Sequence, residues 1–155
     1  MPVRSAGLLL FRRSSAGLEV LVVHPGGPFW ARKDLGAWSL PKGEYDDDED
    51  PAVCARREFA EELGTAPPEG DLLDLGEVRL KSGKVVVAWA VEGDLDTAEI
   101  VSNSFETEWP PRSGRRQEFP EVDRAEWFGL DEAREKLVKG QRPALDALAA
   151  HLAAL

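Results

Sequence analysis

Cysteine occurs once in the 155 residues, as Cys54. A single thiol excludes a disulfide framework and any zinc site assembled from several cysteines. Histidine occurs twice, and His24 and His151 are weak signals by themselves, His151 being expected on the surface of a terminal helix. Every apolar run is far shorter than the roughly 18 residues that a membrane-crossing helix requires. Met1-Pro2-Val3-Arg4 does not read as the start of a secretory leader, and the expectation is a soluble, cytoplasmic protein. Basic charge is in short supply: 19 Lys and Arg stand against 29 Asp and Glu, a formal net charge of −10. Duplex nucleic acid demands a basic face and is not expected as a partner.

What is present suffices for one core. Hydrophobic residues make up 43% of the chain, and no repeat or low-complexity linker divides it, so a single domain over residues 1–155 is expected. Residues 5–11 and 18–23 read as two strands joined by a turn, with Pro25-Gly26-Gly27-Pro28 stopping the second. Trp38-Ser39-Leu40 reads as a short strand ahead of a loop, Pro41-Lys42-Gly43. Asp50-Pro51 starts a helix, with Asp as N-cap and Pro at the first helical position. It is predicted to run over 51–63 and stop at Gly64, with Ala52, Ala55, Phe59 and Leu63 on one apolar stripe. Residues 72–80 and 85–91 are expected strands about the turn Ser82-Gly83, and 122–128 the last strand. The long polar stretch 92–118 reads as an irregular functional loop. Residues 130–139 and 143–155 read as helices. Strands mixed with three helices point to α/β or α+β layers.

The informative stretch is 43–64, with fixed points at Gly43, Glu49, Arg57, Glu58, Glu61, Glu62 and Gly64. On the helix, Glu58, Glu61 and Glu62 stand at i, i+3 and i+4, so their carboxylates fall within about 100° of arc beside the apolar stripe. Three like charges at that spacing repel. A hard divalent cation reverses the sign, since Mg²⁺ or Mn²⁺ takes oxygen ligands and keeps waters and phosphates in its shell. Gly43 can bring a backbone carbonyl to the same cation with no side chain in the way. Arg57 can tie down Glu49 through a charge-assisted bond. Taken alone, the three glutamates read equally well as the flank of an acidic protein; seven positions at set spacings are far more specific than a short motif. The run Asp46-Asp47-Asp48-Glu49-Asp50 lacks the glycine and closing glutamate of a calcium loop and reads as a solvated acidic loop. Cys54, one turn before Glu58, is expected as a small buried filler.

Gly43-x5-Glu49-x7-Arg57-Glu58-Phe59-Ala60-Glu61-Glu62-Leu63-Gly64 resembles the Nudix box at every charged and glycine position. It departs only at Thr65, where that family usually has an aliphatic residue. The resemblance implies a Nudix-type α/β/α sandwich with a mixed sheet. It also implies Mg²⁺- or Mn²⁺-dependent hydrolysis of a nucleoside diphosphate linked to a moiety X. Glu58, Glu61 and Glu62 would then be metal ligands with the Gly43 carbonyl beside them. Glu58, Glu61 and Arg57 would belong to the catalytic apparatus, and Glu49 and Gly64 would be structural. Cations neutralise pyrophosphate oxygens and activate the attacking water, and a carboxylate must orient or deprotonate that water. Many Nudix enzymes place such an acid just before the last strand; here Glu121 is the first candidate and Glu118 the second.

Trp38-Ser39-Leu40-Pro41-Lys42-Gly43 resembles the segment ahead of the box in dinucleoside polyphosphate hydrolases, where Lys42 would meet a phosphate as a point charge. Arg112, Arg115 and Arg116 form a basic island able to hold phosphates by bidentate bonds. They read equally as a solvated turn balancing Glu106, Glu108 and Glu118. Trp30 and Trp109, in loop-like context, are nominated to stack on a base, and the other tryptophans to pack. The leading expectation is a pyrophosphohydrolase acting on a dinucleoside polyphosphate. The alternatives are a nucleoside triphosphate pyrophosphohydrolase that cleans the nucleotide pool and, behind it, a non-catalytic nucleotide sensor. A small nucleotide is the expected partner, without nucleic acid or membrane, in a monomer or homodimer.

Overall fold

The first two strands, β1 (Arg4–Ser14) and β2 (Gly17–Pro25), form the expected antiparallel hairpin. In β1 the buried side chains alternate: Ala6, Leu8 and Leu10 enter one core and Leu9 and Phe11 the other. A strand buried on both faces belongs in the middle of a sheet, and β1 is central in this computed structural model, which describes residues 4–154. Met1-Pro2-Val3, and Leu155 at the end of the expected terminal helix, lie outside the described residues. Three further strands, β4 (Leu73–Arg79), β5 (Val85–Glu92) and β8 (Val122–Gly129), complete the order β4-β5-β1-β2-β8, and β3 (Lys42–Glu44) pairs with the first residues of β1. The β1–β5 pair is parallel and the others are antiparallel, so the sheet is mixed.

Helix α1 (Pro51–Leu63) lays Cys54, Ala55, Phe59 and Leu63 on one face of that sheet. Its start is fixed by the Asp50 carboxylate, which accepts the Ala52 N–H at 2.9 Å, and its end by Gly64, whose N–H reaches the Ala60 carbonyl at 2.8 Å. Helices α2 (Leu130–Lys136) and α3 (Pro143–Ala153) cover the other face with Ala133, Leu145 and Leu148, packed around Trp38. The result is the expected α/β/α sandwich.

Three local expectations are corrected. Trp38-Ser39-Leu40 is not a strand: Ser39 bridges only Val23, Trp38 bridges only Leu137, and the Leu40 N–H donates to the Gln141 side chain at 2.9 Å. The strand falls instead on Lys42–Glu44, where Gly43 pairs with Ala6. The helix expected over 130–139 ends at Lys136, because Leu137 turns to an extended conformation and the next residue, Val138, donates to the Trp38 carbonyl. The stretch 92–118 is not irregular throughout: β6 (Ser104–Glu108) and β7 (Arg116–Pro120) form a second, two-stranded sheet pairing Phe105 with Phe119. Polar and charged residues fill most of both strands and hide their β character from a propensity reading.

Candidate functional site

The flank of α1 facing β3 carries the three glutamates. Gly43 lies so close to Glu58 that an added Cβ would fall 2.0 Å from the Glu58 Cδ. Only glycine permits that approach. Glu62 is the most enclosed of the three, and its Oε2 is buried with no hydrogen-bond partner among the described residues. Burial pushes its carboxyl up to about 8, the Lys42 charge pulling it down and the Glu58 charge adding to the rise. Glu58 is raised by burial and by Glu61, with Arg57 opposing. Lys42 is lowered by burial and then by Lys84, with Glu62 pulling the other way. Burial thus drives both Lys42 and Glu62 toward their neutral forms.

Arg57 is the local cation. Its Nη1 donates to Glu49, Nη2 stands 3.5 Å from Glu58 Oε1, and Nε stands 3.7 Å from Glu61 Oε1. Among the described residues, no three His, Cys, Asp or Glu side chains are drawn together closely enough to hold a metal ion. Arg57 stands beside two of the glutamates, Glu58 and Glu61. Cys54 is buried, with Sγ 3.7 Å from the Gly43 carbonyl and 3.6 Å from that of Glu44; burial pushes its thiol up to about 11, which leaves it inert at neutral pH.

Glu121 connects this cluster to a cavity of about 520 Å³. Its charge adds to the rise of both Glu58 and Glu62, and it lines the cavity together with Phe29, Trp30, Phe105 and Trp109. One wall is the loop that follows β2, the other the β6–β7 hairpin. They meet where the Gly26 N–H donates to the Glu121 carbonyl at 2.9 Å; a Cβ on Gly26 would fall 1.9 Å from the Pro120 carbonyl oxygen. Trp30 is partly buried against the core and Trp109 is 37% exposed. Glu118 is exposed on β7 opposite Glu106. Arg112, Arg115 and Arg116 are exposed at the hairpin tip and do not line the cavity; the Arg116 side chain stands 3.7 Å from Glu106, and the Arg112 backbone N–H donates to the Glu108 carboxylate at 2.7 Å.

A family model for the NUDIX domain matches residues 1–148. The chain belongs to the Nudix family. It is 40% identical over 75 residues to an RNA pyrophosphohydrolase of Acidiphilium cryptum (strain JF-5), covering 44% of this chain and 40% of that protein. It is 32% identical over 108 residues to a CMP-5'-(N-acetyl-N-hydroxy-3-aminopropyl)phosphonate hydrolase of Streptomyces rubellomurinus (strain ATCC 31215), covering 70% and 45%. The chain therefore spans less than half the length of these curated relatives. Its fold is that of a C. elegans Ap4A hydrolase binary complex, with a TM-score of 0.69 at 20% identity over 97% of this chain and 99% of that one.

Nudix hydrolases in general use divalent metal ions, and the residues present fit one. An orphaned buried carboxylate oxygen on Glu62, a glycine cradle at Gly43 and an all-oxygen donor set are what a hard cation requires. Without metal, the raised Glu62 group has a signature in stability. A carboxyl raised in the fold contributes stability below its unfolded value near pH 4.5 and loses it as pH rises through about 8. Glu62→Gln has no proton to lose there. In chelator, its stability relative to the native chain is expected to grow across that window by up to roughly 1.4 kcal/mol per pH unit. Urea unfolding at several pH values checks this, and parallel curves would refute it.

Phe29, Phe105, Thr107 and Glu108 of the cavity wall, and the burial of His24, are not among the expected site features. Adjacent aromatics in a Gly- and Pro-rich loop, Phe29-Trp30, were the available signal for the first; nothing local signals the second. Among the described residues, no helix is long and apolar enough to cross a membrane.

Proposed function

We propose that this protein is a divalent-metal-dependent pyrophosphohydrolase of a nucleoside diphosphate linked to X, with a dinucleoside polyphosphate as its preferred substrate in the cytoplasm. The observation that carries the reading is the buried Glu62 oxygen, without a hydrogen-bond partner among the described residues, in a carboxylate cluster that Glu121 joins to an aromatic cavity. Glu58, Glu61, Glu62 and the Gly43 carbonyl would hold the cation. When bound, the cation neutralises anhydride oxygens and lowers the pKa of the attacking water. Glu121 takes a proton from that water as its oxygen bonds to phosphorus and the bridging P–O bond breaks. Lys42 meets a phosphate oxygen, Trp30 and Trp109 flank the base, and the arginines of the hairpin tip hold the distal phosphates. The names of two relatives, an Ap4A hydrolase and an RNA pyrophosphohydrolase, agree with cleavage of a phosphoanhydride.

A hydrolysis panel with Mg²⁺ and Mn²⁺ tests this. It holds diadenosine polyphosphates, canonical and oxidised nucleoside triphosphates, ADP-ribose, NADH and 5′-triphosphorylated RNA, with products resolved by chromatography. The expected result is the highest kcat/KM on a diadenosine polyphosphate. Turnover of triphosphates alone would replace that substrate with a pool-cleaning role, and silence with both metals would sink the hydrolase reading.

A further inference from the structure

The loop between His24 and Ala37 forms one wall of the aromatic cavity, yet its composition gives it little reason to hold one shape. It contains Gly26, Gly27, Gly36, Pro25 and Pro28, and its Phe29 and Leu35 are 65% and 69% exposed. Its internal backbone bonds are short-range turns, Lys33 N–H to Trp30 and Ala37 N–H to Asp34. Such a segment is mobile unless something outside it fixes its backbone.

The ends of the loop are tied from outside, by the Gly26 N–H on the Glu121 carbonyl at 2.9 Å and the Gly36 N–H on the Glu135 carbonyl at 3.0 Å, and Asp34 accepts from Trp38 and Lys136. Between these points His24 ties Lys33 from below. His24 is only 1% exposed, its Nδ1 stands 2.8 Å from Asp123 Oδ1, and its Nε2 stands 2.6 Å from the Lys33 carbonyl oxygen. The Asp123 carboxylate and the Lys33 carbonyl lie on opposite sides of the ring, so the imidazole bridges strand β8 and the loop. The ring edge also packs on Trp38 at 5.1 Å between centroids. The Lys33 side chain then returns over the wall, with Nζ 4.3 Å from the Phe29 ring and 5.5 Å from the Trp30 ring. One residue is thus gripped through its carbonyl by His24 while its ammonium caps the two aromatics. The opposite end of the brace, Asp123, sits two residues beyond Glu121 on β8.

We propose that His24, braced by Asp123, is a positioning residue for the aromatic wall. Through the Lys33 carbonyl it sets Phe29 and Trp30 against Phe105 and Trp109, and so determines affinity for the aromatic part of the substrate rather than the rate of hydrolysis. The proposal deepens the pyrophosphohydrolase reading and rests on its placement of the base in the cavity.

Two variants test it. Asp123→Ala removes an acceptor whose own side chain is 36% exposed but leaves the buried His24 Nδ1 without its partner, so a melting curve is recorded beside the binding data. His24→Gln retains a donor for the Lys33 carbonyl and drops the contact with Asp123. The readouts are KM and kcat for the best nucleotide of the panel, and the Kd of adenosine, which carries no phosphate, followed by tryptophan fluorescence. Both variants are expected to raise KM and the adenosine Kd by about tenfold with kcat held within about twofold. An adenosine Kd unchanged in both variants overturns the proposal, as does a fall in kcat with KM unmoved. A native protein that hydrolyses no nucleotide but binds adenosine through His24 retires the hydrolase reading and keeps this one. A native protein that binds neither adenosine nor any other nucleoside overturns the brace and the cavity assignment together.

Discussion

Glu61→Gln should lower kcat by about 10²- to 10⁴-fold while leaving the thermal unfolding midpoint almost unmoved. The substitution keeps shape and removes one charge from the donor set proposed to hold the cation. Glu61 is the cleanest of the three to test because its side chain is 44% exposed and its contact to Arg57 is a long one, at 3.7 Å. An exposed pair of that kind adds little to stability, so lost turnover cannot be blamed on lost structure. The measurement is kcat over a Mg²⁺ titration beside a melting curve. Full activity at saturating metal would remove Glu61 from the site and leave the box glutamates as a solvated flank.

Gly43→Ala should be nearly as damaging for a different reason. The new methyl group would arrive 2.0 Å from the Glu58 Cδ and 2.2 Å from its Oε1, well inside van der Waals contact. β3 cannot retreat easily, because Gly43 is paired with Ala6 and its neighbours with Ser5 and Gly7. Glu58 must therefore leave its place. Overpacking of this kind costs about 1–3 kcal/mol, and displacement of a reacting group by an ångström costs on the order of 10²-fold in rate. Denaturant unfolding and steady-state kinetics report the two parts separately. An alanine variant that keeps the native kcat would show that Glu58 does not need the place it occupies against Gly43.

The two substitutions also mark where sequence reading succeeds and where it runs out. Glu58, Glu61 and Glu62 were legible because Asp50 and Gly64 set the ends of α1 and the helical period then places every side chain between them. The same local logic gives the β1–β2 pair from two apolar runs and the turn between them. The approach of Gly43 to Glu58 was not legible, because it depends on the register of a three-residue strand against β1. Trp38 misled for a related reason: a bulky apolar tripeptide resembles a strand, but the backbone of Leu40 spends its N–H on Gln141, 101 residues away. His24 and Asp123 stand 99 residues apart and meet only after β2 pairs with β8. Contacts of that range carry no periodicity to read. The β6–β7 strands were missed because Glu106, Glu108, Arg116 and Glu118 are solvated on a sheet that buries neither face.

That small sheet has a consequence for how this protein can change. Its residues belong to neither core, its side chains are largely exposed, and it meets the rest of the chain at its base, where the Gly26 N–H donates to the Glu121 carbonyl and the Asn103 N–H to the Glu61 carbonyl. Substitutions along it are therefore nearly neutral for folding, while those at Phe105, Thr107 and Glu108 reshape a wall of the cavity. Descendants of this sequence can explore new recognition surfaces there as freely as an antibody framework exchanges its loops, with the glutamates of α1 left untouched.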